Sequence, residues 1–292
     1  MTTGARRLRA MHAGPQPLIL PNVWDPVSAR SFAEAGFAAV ATSSSAIAAT
    51  LGYVDGQTPA DEMFAAIARI AASVSVPVTA DIEAGYGLPP AELVRRLADC
   101  GVAGCNLEDS DPVTRTLIDP LRHAEFLAAV RAEAGLDLVI NARVDVYLRP
   151  IAAGAADADG AGDGAGDPRD CAAGDARDGA AGGADDGAAG GAEDGDPVTA
   201  AAVARAGAYL AAGADCIYPI LAPPEALPEL VRRISGPVNV LYTARGPSLA
   251  QLAALGVARI TFGGGLHARA AGLVRDMARE LAAEAAASRS DG

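Results

Sequence analysis

Residues 77–109 read PVTADIEAGYGLPPAELVRRLADCGVAGCNLED. A β-prone run, Pro77–Asp81, passes through a glycine-containing turn into a helix-period stretch, Pro90–Cys100, and then into a second apolar run, Ala103–Glu108. Proline inside the start and glycine (Gly101) just past the end punctuate a helix. The stretch therefore predicts one β/α/β unit, whose strands lie parallel because a helical crossover joins them.

The same unit recurs in both directions. Further strands are expected at Leu18–Pro21, Ala38–Thr42, Leu138–Ala142, Cys216–Pro219, Val238–Tyr242 and Arg259–Phe262. Helices are expected at Pro59–Ser73, Leu121–Ala134, Ala200–Ala212, Pro224–Ile234 and Ser248–Leu255, and Asp25 followed by Pro26 marks another helix start. Eight units in about 250 residues suit a closed barrel better than an open doubly wound sheet, and no GxGxxG follows the first strand. The expected fold class is α/β: one (β/α)8 TIM barrel spanning 1–292, interrupted after its fifth strand by a low-complexity insert at 151–198.

That insert holds eleven Asp, one Glu and two Arg among Gly and Ala, and so contributes −10 of the formal net charge of −13. It offers almost nothing to bury, so disorder is expected, and it lacks the spacing of a calcium loop. The remainder is close to neutral. Neither a basic stripe nor aromatic-basic interleaving is present, which gives no support to nucleic-acid binding. No apolar run is long enough to span a membrane, and the N-terminus lacks a signal-peptide core. Four scattered cysteines (Cys100, Cys105, Cys171, Cys216) suit reduced thiols in a cytoplasmic protein. The chain contains no lysine, so all 23 basic side chains are arginine. Schiff-base and P-loop lysine chemistry are thereby excluded.

In a barrel of this kind the reacting groups stand where strands end and βα loops begin. Those positions hold Thr42–Ser45, Asp81–Glu83, Glu108–Asp109, Asn141–Asp145 and Asn239–Thr243. Strand alternation places Asp81 and Glu83 on one side, with Glu108 arriving from the next strand. Carboxylates converging without lysine repel one another unless a cation joins them. An all-oxygen set selects a hard ion, Mg²⁺ or Mn²⁺; the alternative is that these acids cap helices or pair with Arg143. Asn239 and Arg245 are expected as secondary substrate contacts. The run Gly263–Gly265 stands where many barrels hold a phosphate, although close packing also demands glycine there.

The string Asp81-Ile82-Glu83-Ala84-Gly85-Tyr86-Gly87 resembles the D-x-[DE]-x-G-Y-G signature of the isocitrate lyase/phosphoenolpyruvate mutase superfamily. LPNVWDPVSAR (20–30), SSSAIAATLGYVDG (43–56), GCNLEDS (104–110), INARVDVYL (140–148) and GVARITFGGGL (256–266) follow in the superfamily's order. The resemblance implies Asp81 as direct metal ligand, with Glu83, Glu108 and Asp55 holding the metal's waters and Asp55 close to the reacting group. It implies that Ser43, with the backbone N–H groups of Ser44 and Ser45, binds a carboxylate or enolate oxygen of the substrate. Arg143 would clamp a carboxylate or phosphonate, and Gly85, Tyr86 and Gly87 would shape the pocket wall. It further implies a homo-oligomer, a dimer of dimers with exchanged C-terminal helices; here Ala268–Ala287 could be exchanged or could cover its own barrel.

The implied chemistry is a Mg²⁺-stabilised enolate formed when a bond at C3 of a 2-oxo acid breaks. Two departures narrow it. The lyases' K-[KR]-C-G-H loop is replaced by residues 109–120, DSDPVTRTLIDP, which hold no Cys, His or Lys. The Lys and Asn that phosphonate enzymes place on this loop are also missing, and Tyr218-Pro219-Ile220 stands where the mutases carry histidine. The expected function is a lyase or decarboxylase acting on a small 2-oxo or 2-hydroxy (di)carboxylate, oxaloacetate- or substituted-malate-like. The alternatives are a phosphonopyruvate-type P–C enzyme, methylisocitrate-type C–C cleavage and a catalytically idle barrel.

Overall fold

The protein is described by a computed structural model covering residues 2–149 and 196–290. The first barrel strand is split at Pro21 into β1 (Leu18–Leu20) and β2 (Asn22–Val23). The others are β3 (Val40–Thr42), β4 (Val78–Asp81), β5 (Gly104–Glu108), β6 (Val139–Val144), β7 (Cys216–Pro219), β8 (Asn239–Leu241) and β9 (Arg259–Thr261). Pairing is parallel throughout: β2 through β7 run in sequence order, and β9 lies between β1 and β8. A bridge from Ile217 to Val238 joins β7 to β8. With β1 and β2 acting as one stave, the ring closes as the expected eight-stranded barrel.

Around it run α2 (Pro26–Glu34), α4 (Ala60–Ala72), α5 (Pro90–Asp99), α6 (Pro120–Ala134), α7 (Pro197–Ala211), α8 (Leu227–Arg233) and α9 (Leu249–Ala254), together with α1 (Thr3–His12) and α3 (Ser44–Leu51), two helices the hydrophobic pattern does not predict. Asp25 caps α2 reciprocally with Ser28, as its sequence promised.

The Gly/Ala/Asp tract expected to be disordered lies outside the described residues, except for its last three positions. Those correct the insert's boundary. Asp196 accepts the N–H groups of Val198 and Thr199 and caps α7, with Pro197 at the first helical position.

α1 closes the amino-terminal end of the barrel. Its Leu8 is fully buried beneath β5, where a Cβ on Gly104 would stand 3.0 Å from Leu8 and 2.7 Å from the Val139 carbonyl oxygen. Arg9 of α1 and Arg131 of α6 both reach the Asp215 carboxylate, which also accepts the Ile140 N–H. Above this floor the lumen is polar. Arg259 is fully buried, and its Nη2 crosses from β9 to donate to Asn106 Oδ1 on β5, four staves away, which also accepts Asn141 Nδ2. Asn239 lies in register with Arg259 at the start of β8 and accepts from Thr261 Oγ1. Its side chain is buried in the lumen, with Nδ2 left without a hydrogen-bond partner.

The last helix, α10 (Gly265–Ser290), leaves Leu273, Val274, Met277 and Leu281 more than half exposed, so it does not cover its own barrel. Among the described residues no helix is long and apolar enough to cross a membrane.

Gly104→Ala should lower the unfolding free energy by about 1–3 kcal/mol, because backbone and Leu8 must both yield to the new methyl. A chemical denaturation midpoint equal to that of the natural sequence would contradict this account of the floor.

Candidate active site

Every polar group at the barrel mouth is placed by the strand that ends beneath it. β3 ends at Thr42, and Ser43 turns the chain into α3 by accepting the Ala46 N–H at its Oγ. β4 ends at Asp81. Its backbone N–H donates to Thr42 Oγ1 at 2.9 Å. Its Oδ2 accepts the Ser44 N–H at 3.1 Å and the Ser44 hydroxyl at 2.8 Å. The other oxygen, Asp81 Oδ1, is buried with no hydrogen-bond partner.

Glu83 joins Asp81, though not by strand alternation. It follows the strand end in the left-handed backbone region, at φ +53°, as do Gly85, Tyr86 and Gly87. This run of positive φ turns the chain sharply and explains the G-Y-G part of the motif. A Cβ on Gly85 would press on Phe126 and Leu93 of the outer helices, so glycine is also required there by packing behind the loop. The Tyr86 hydroxyl donates to Glu83 Oε1 at 3.3 Å, and its ring meets Phe64 edge-on. Burial, then Asp81 and Asp55, push the Glu83 carboxyl up to about 7. Asp55 is raised for the same reasons, burial first and Asp81 second.

Glu108 ends β5 beside Arg143 of β6, with which it is in register and forms an ion pair. The same guanidinium binds Asp145 bidentately along one edge, Nε to Oδ1 at 2.7 Å and Nη2 to Oδ2 at 2.8 Å. Burial raises the Glu108 carboxyl despite Arg143. Of the two readings left open for the acids, Glu108 thus shows the arginine pairing, while Asp81 and Glu83 do not. Asp109 is not at the mouth at all. It is buried against Tyr209, Arg205 and the Asp145 N–H, and ties the following loop to α7.

A cleft of about 110 Å³ opens over these groups, lined by Ser44, Asp55, Gly56, Glu83, Glu108, Ser110, Asp111, Pro112, Arg115, Arg143, Leu148 and Arg149. Arg115 and Arg149 were missed by the motif comparison. In a chain without lysine, each arginine on a βα loop deserved notice as a cation at the mouth. Ser43 and Ser45 lie outside the lining, hydrogen-bonded to each other through their hydroxyls at 3.1 Å. Ser44's N–H, expected to face substrate, instead holds Asp81. In the Gly263–Gly265 run the Gly263 N–H is taken by Asn22, and a Cβ on Gly264 would stand 3.1 Å from Ser45 Oγ, whereas one on Gly265 would meet open space.

The donor set fits a hard cation. A buried carboxylate oxygen without a partner, among further carboxylates, lacks only positive charge. No three His, Cys, Asp or Glu side chains among the described residues converge closely enough to ligate one ion together. A cation would therefore take Asp81 directly and reach Glu83, Glu108 and Asp55 through water, as Mg²⁺ habitually does. A cation at Asp81 would favour the ionised form of nearby Glu83 by its charge, so its binding would displace a proton from that carboxyl. Mg²⁺ affinity should fall as pH drops through about 7, and Glu83→Gln should flatten that dependence. Titration calorimetry between pH 6 and 8 measures both.

The family model described as phosphoenolpyruvate phosphomutase matches residues 8–163 and 188–282. An uncharacterized protein of Mycobacterium tuberculosis is 31% identical over 255 residues, covering 87% of this chain and 80% of its own length. Probable 2-methylisocitrate lyase 1 of Corynebacterium glutamicum is 37% identical over 158 residues, 49% of this chain and 51% of that protein. A crystal structure of a candidate phosphonomutase from Burkholderia cenocepacia J2315 superimposes with a TM-score of 0.76 at 35% identity, covering 95% of this chain and 100% of the other. With the barrel and the acidic mouth already in place, these matches settle the lineage: the chain belongs to the phosphoenolpyruvate phosphomutase family, within the isocitrate lyase/phosphoenolpyruvate mutase superfamily.

Proposed function

We propose that the protein is a Mg²⁺-dependent lyase or decarboxylase that breaks a bond at C3 of a small 2-oxo or 2-hydroxy acid of the oxaloacetate or substituted-malate kind. The observation that carries this reading is Asp81 Oδ1, buried and unpartnered beside Asp55, Glu83 and Glu108. When bound, the cation supplies the positive charge that stabilises an enolate oxygen. The chain's own residues do the rest. Ser44 fixes the Asp81 carboxylate, Thr42 holds the Asp81 backbone N–H, and Tyr86 fixes Glu83 Oε1, a carboxyl able to hold a proton near neutrality. Arg143 holds Glu108 in place.

The two specialised alternatives lose support at specific groups. Methylisocitrate-type cleavage with a thiol acid needs an available cysteine. Among the described residues Cys100, Cys105 and Cys216 are all buried, and burial pushes the Cys105 and Cys216 thiols up to about 12. P–C chemistry with a loop lysine has no lysine to use.

Pyruvate release should be seen from oxaloacetate or dimethylmalate with Mg²⁺ and should stop on chelation. Asp81→Ala should reduce kcat/KM by roughly 10³-fold, about 4 kcal/mol of transition-state stabilisation. Rapid pyruvate release from methylisocitrate, or phosphate release from phosphonopyruvate, would replace the assignment. An Asp81→Ala protein that binds Mg²⁺ normally would remove it.

The exposed apolar stripe on α10 suits packing against a second copy of the chain. Leu273→Arg with Met277→Arg should reduce the mass seen by light scattering to that of a monomer. An unchanged mass would dismiss α10 as the contact.

A further inference from the structure

We infer that Arg115 and Arg149 bind a second carboxylate of the substrate, so that the cleft selects dicarboxylic over monocarboxylic acids; this rests on the metal-platform reading above. Three arginines line the cleft, and they differ in what they already hold. Arg143 is engaged by Asp145 along one edge and by Glu108. A guanidinium offers five N–H donors in a fixed fork, and this one is turned toward the protein's own acids.

Arg149 follows β6 and is half-buried. Its Nε is shielded from solvent and has no hydrogen-bond partner. A buried donor left unpaired is costly unless something else accepts from it. Arg115 stands on the loop after β5, at the exposed rim, and its guanidinium makes no hydrogen bond or ion pair to any described residue. The loop that presents it is well defined. Asp111 Oδ1 accepts the N–H groups of Val113 and Thr114, the Asp111 carbonyl accepts the Arg115 N–H, and Ser110 bridges to Leu117. Arg115 itself is held at φ +57°. That conformation is strained for a non-glycine residue, and such strain persists where the surroundings enforce it, often at ligand clamps.

The electrostatics agree. Both guanidiniums line the same cleft as Asp55, Glu83 and Glu108, so their positive charge stands against that of the acids. A substrate whose 2-oxo acid end meets the acidic platform through a cation would have any distal carboxylate repelled by the remaining acids. Two unengaged guanidiniums in the same cleft reverse that repulsion and offer bidentate geometry.

Malate and oxalate distinguish this, because both chelate a cation but only malate carries a carboxylate beyond the chelating pair. Titration calorimetry with Mg²⁺ should show Arg115→Met and Arg149→Met each weakening malate about 10-fold or more, with oxalate within twofold and Arg149→Lys partly restoring malate. Equal weakening of both ligands, or of neither, overturns the inference. Wild-type protein that binds oxalate equally well without Mg²⁺ refutes the metal reading, while the malate-to-oxalate ratio of the variants still judges the arginines. A wild type that binds neither ligand refutes both.

Discussion

The mutual repulsion of carboxylates at the ends of β4 and β5 is the constraint around which the mouth of this barrel is built. Asp55, Asp81, Glu83 and Glu108 cannot all be ionised in a half-buried site without compensation. The structure compensates them unequally. Ser44 gives its amide and hydroxyl to one oxygen of Asp81, and Arg143 takes Glu108. Glu83 receives only a long bond from Tyr86, and Asp81 Oδ1 receives nothing. The deficit is concentrated at one point, Asp81 Oδ1, where the proposed cation would bind.

That arrangement depends on groups far from any ligand. Ser44 meets Asp81 because Ser43 caps α3 directly after β3. Arg143 meets Glu108 because β5 and β6 are in register. Asp145, which steadies Arg143, is itself steadied by the Ser110 hydroxyl, and its N–H rests on Asp109. Asp109 is in turn held by Arg205 and Tyr209 of α7, the helix that follows the acidic tract. The loop bearing Arg115 is thus tied into the arginine–carboxylate network through its first two residues.

Much of this was legible in order. Parallel strands, their crossover helices and the D-x-E-x-G-Y-G turn were written in hydrophobic period, proline–glycine punctuation and motif, all local signals. What escaped was non-local. α1 looks like a basic polar leader, since its value lies in one leucine beneath Gly104 and one arginine at Asp215. Asn239 looked like a mouth residue because β8 was counted from its sequence pattern; its register with Arg259 puts it in the lumen. Arg115 and Arg149 carry no motif, and only the folded loops bring them over the same cleft.

The sequence by itself determined the alternation that makes a barrel, the absence of lysine chemistry and the set of acids able to gather at strand ends. The tertiary structure decided how those acids divide: which is paired with arginine, which is anchored by a helix amide and which is left with a bare oxygen. It also decided that a side chain at Gly85 would collide with the outer helices. The reason is physical. Periodicity fixes which way a side chain points within its own element, whereas charge compensation depends on distances between elements, and those exist only once the ring has closed.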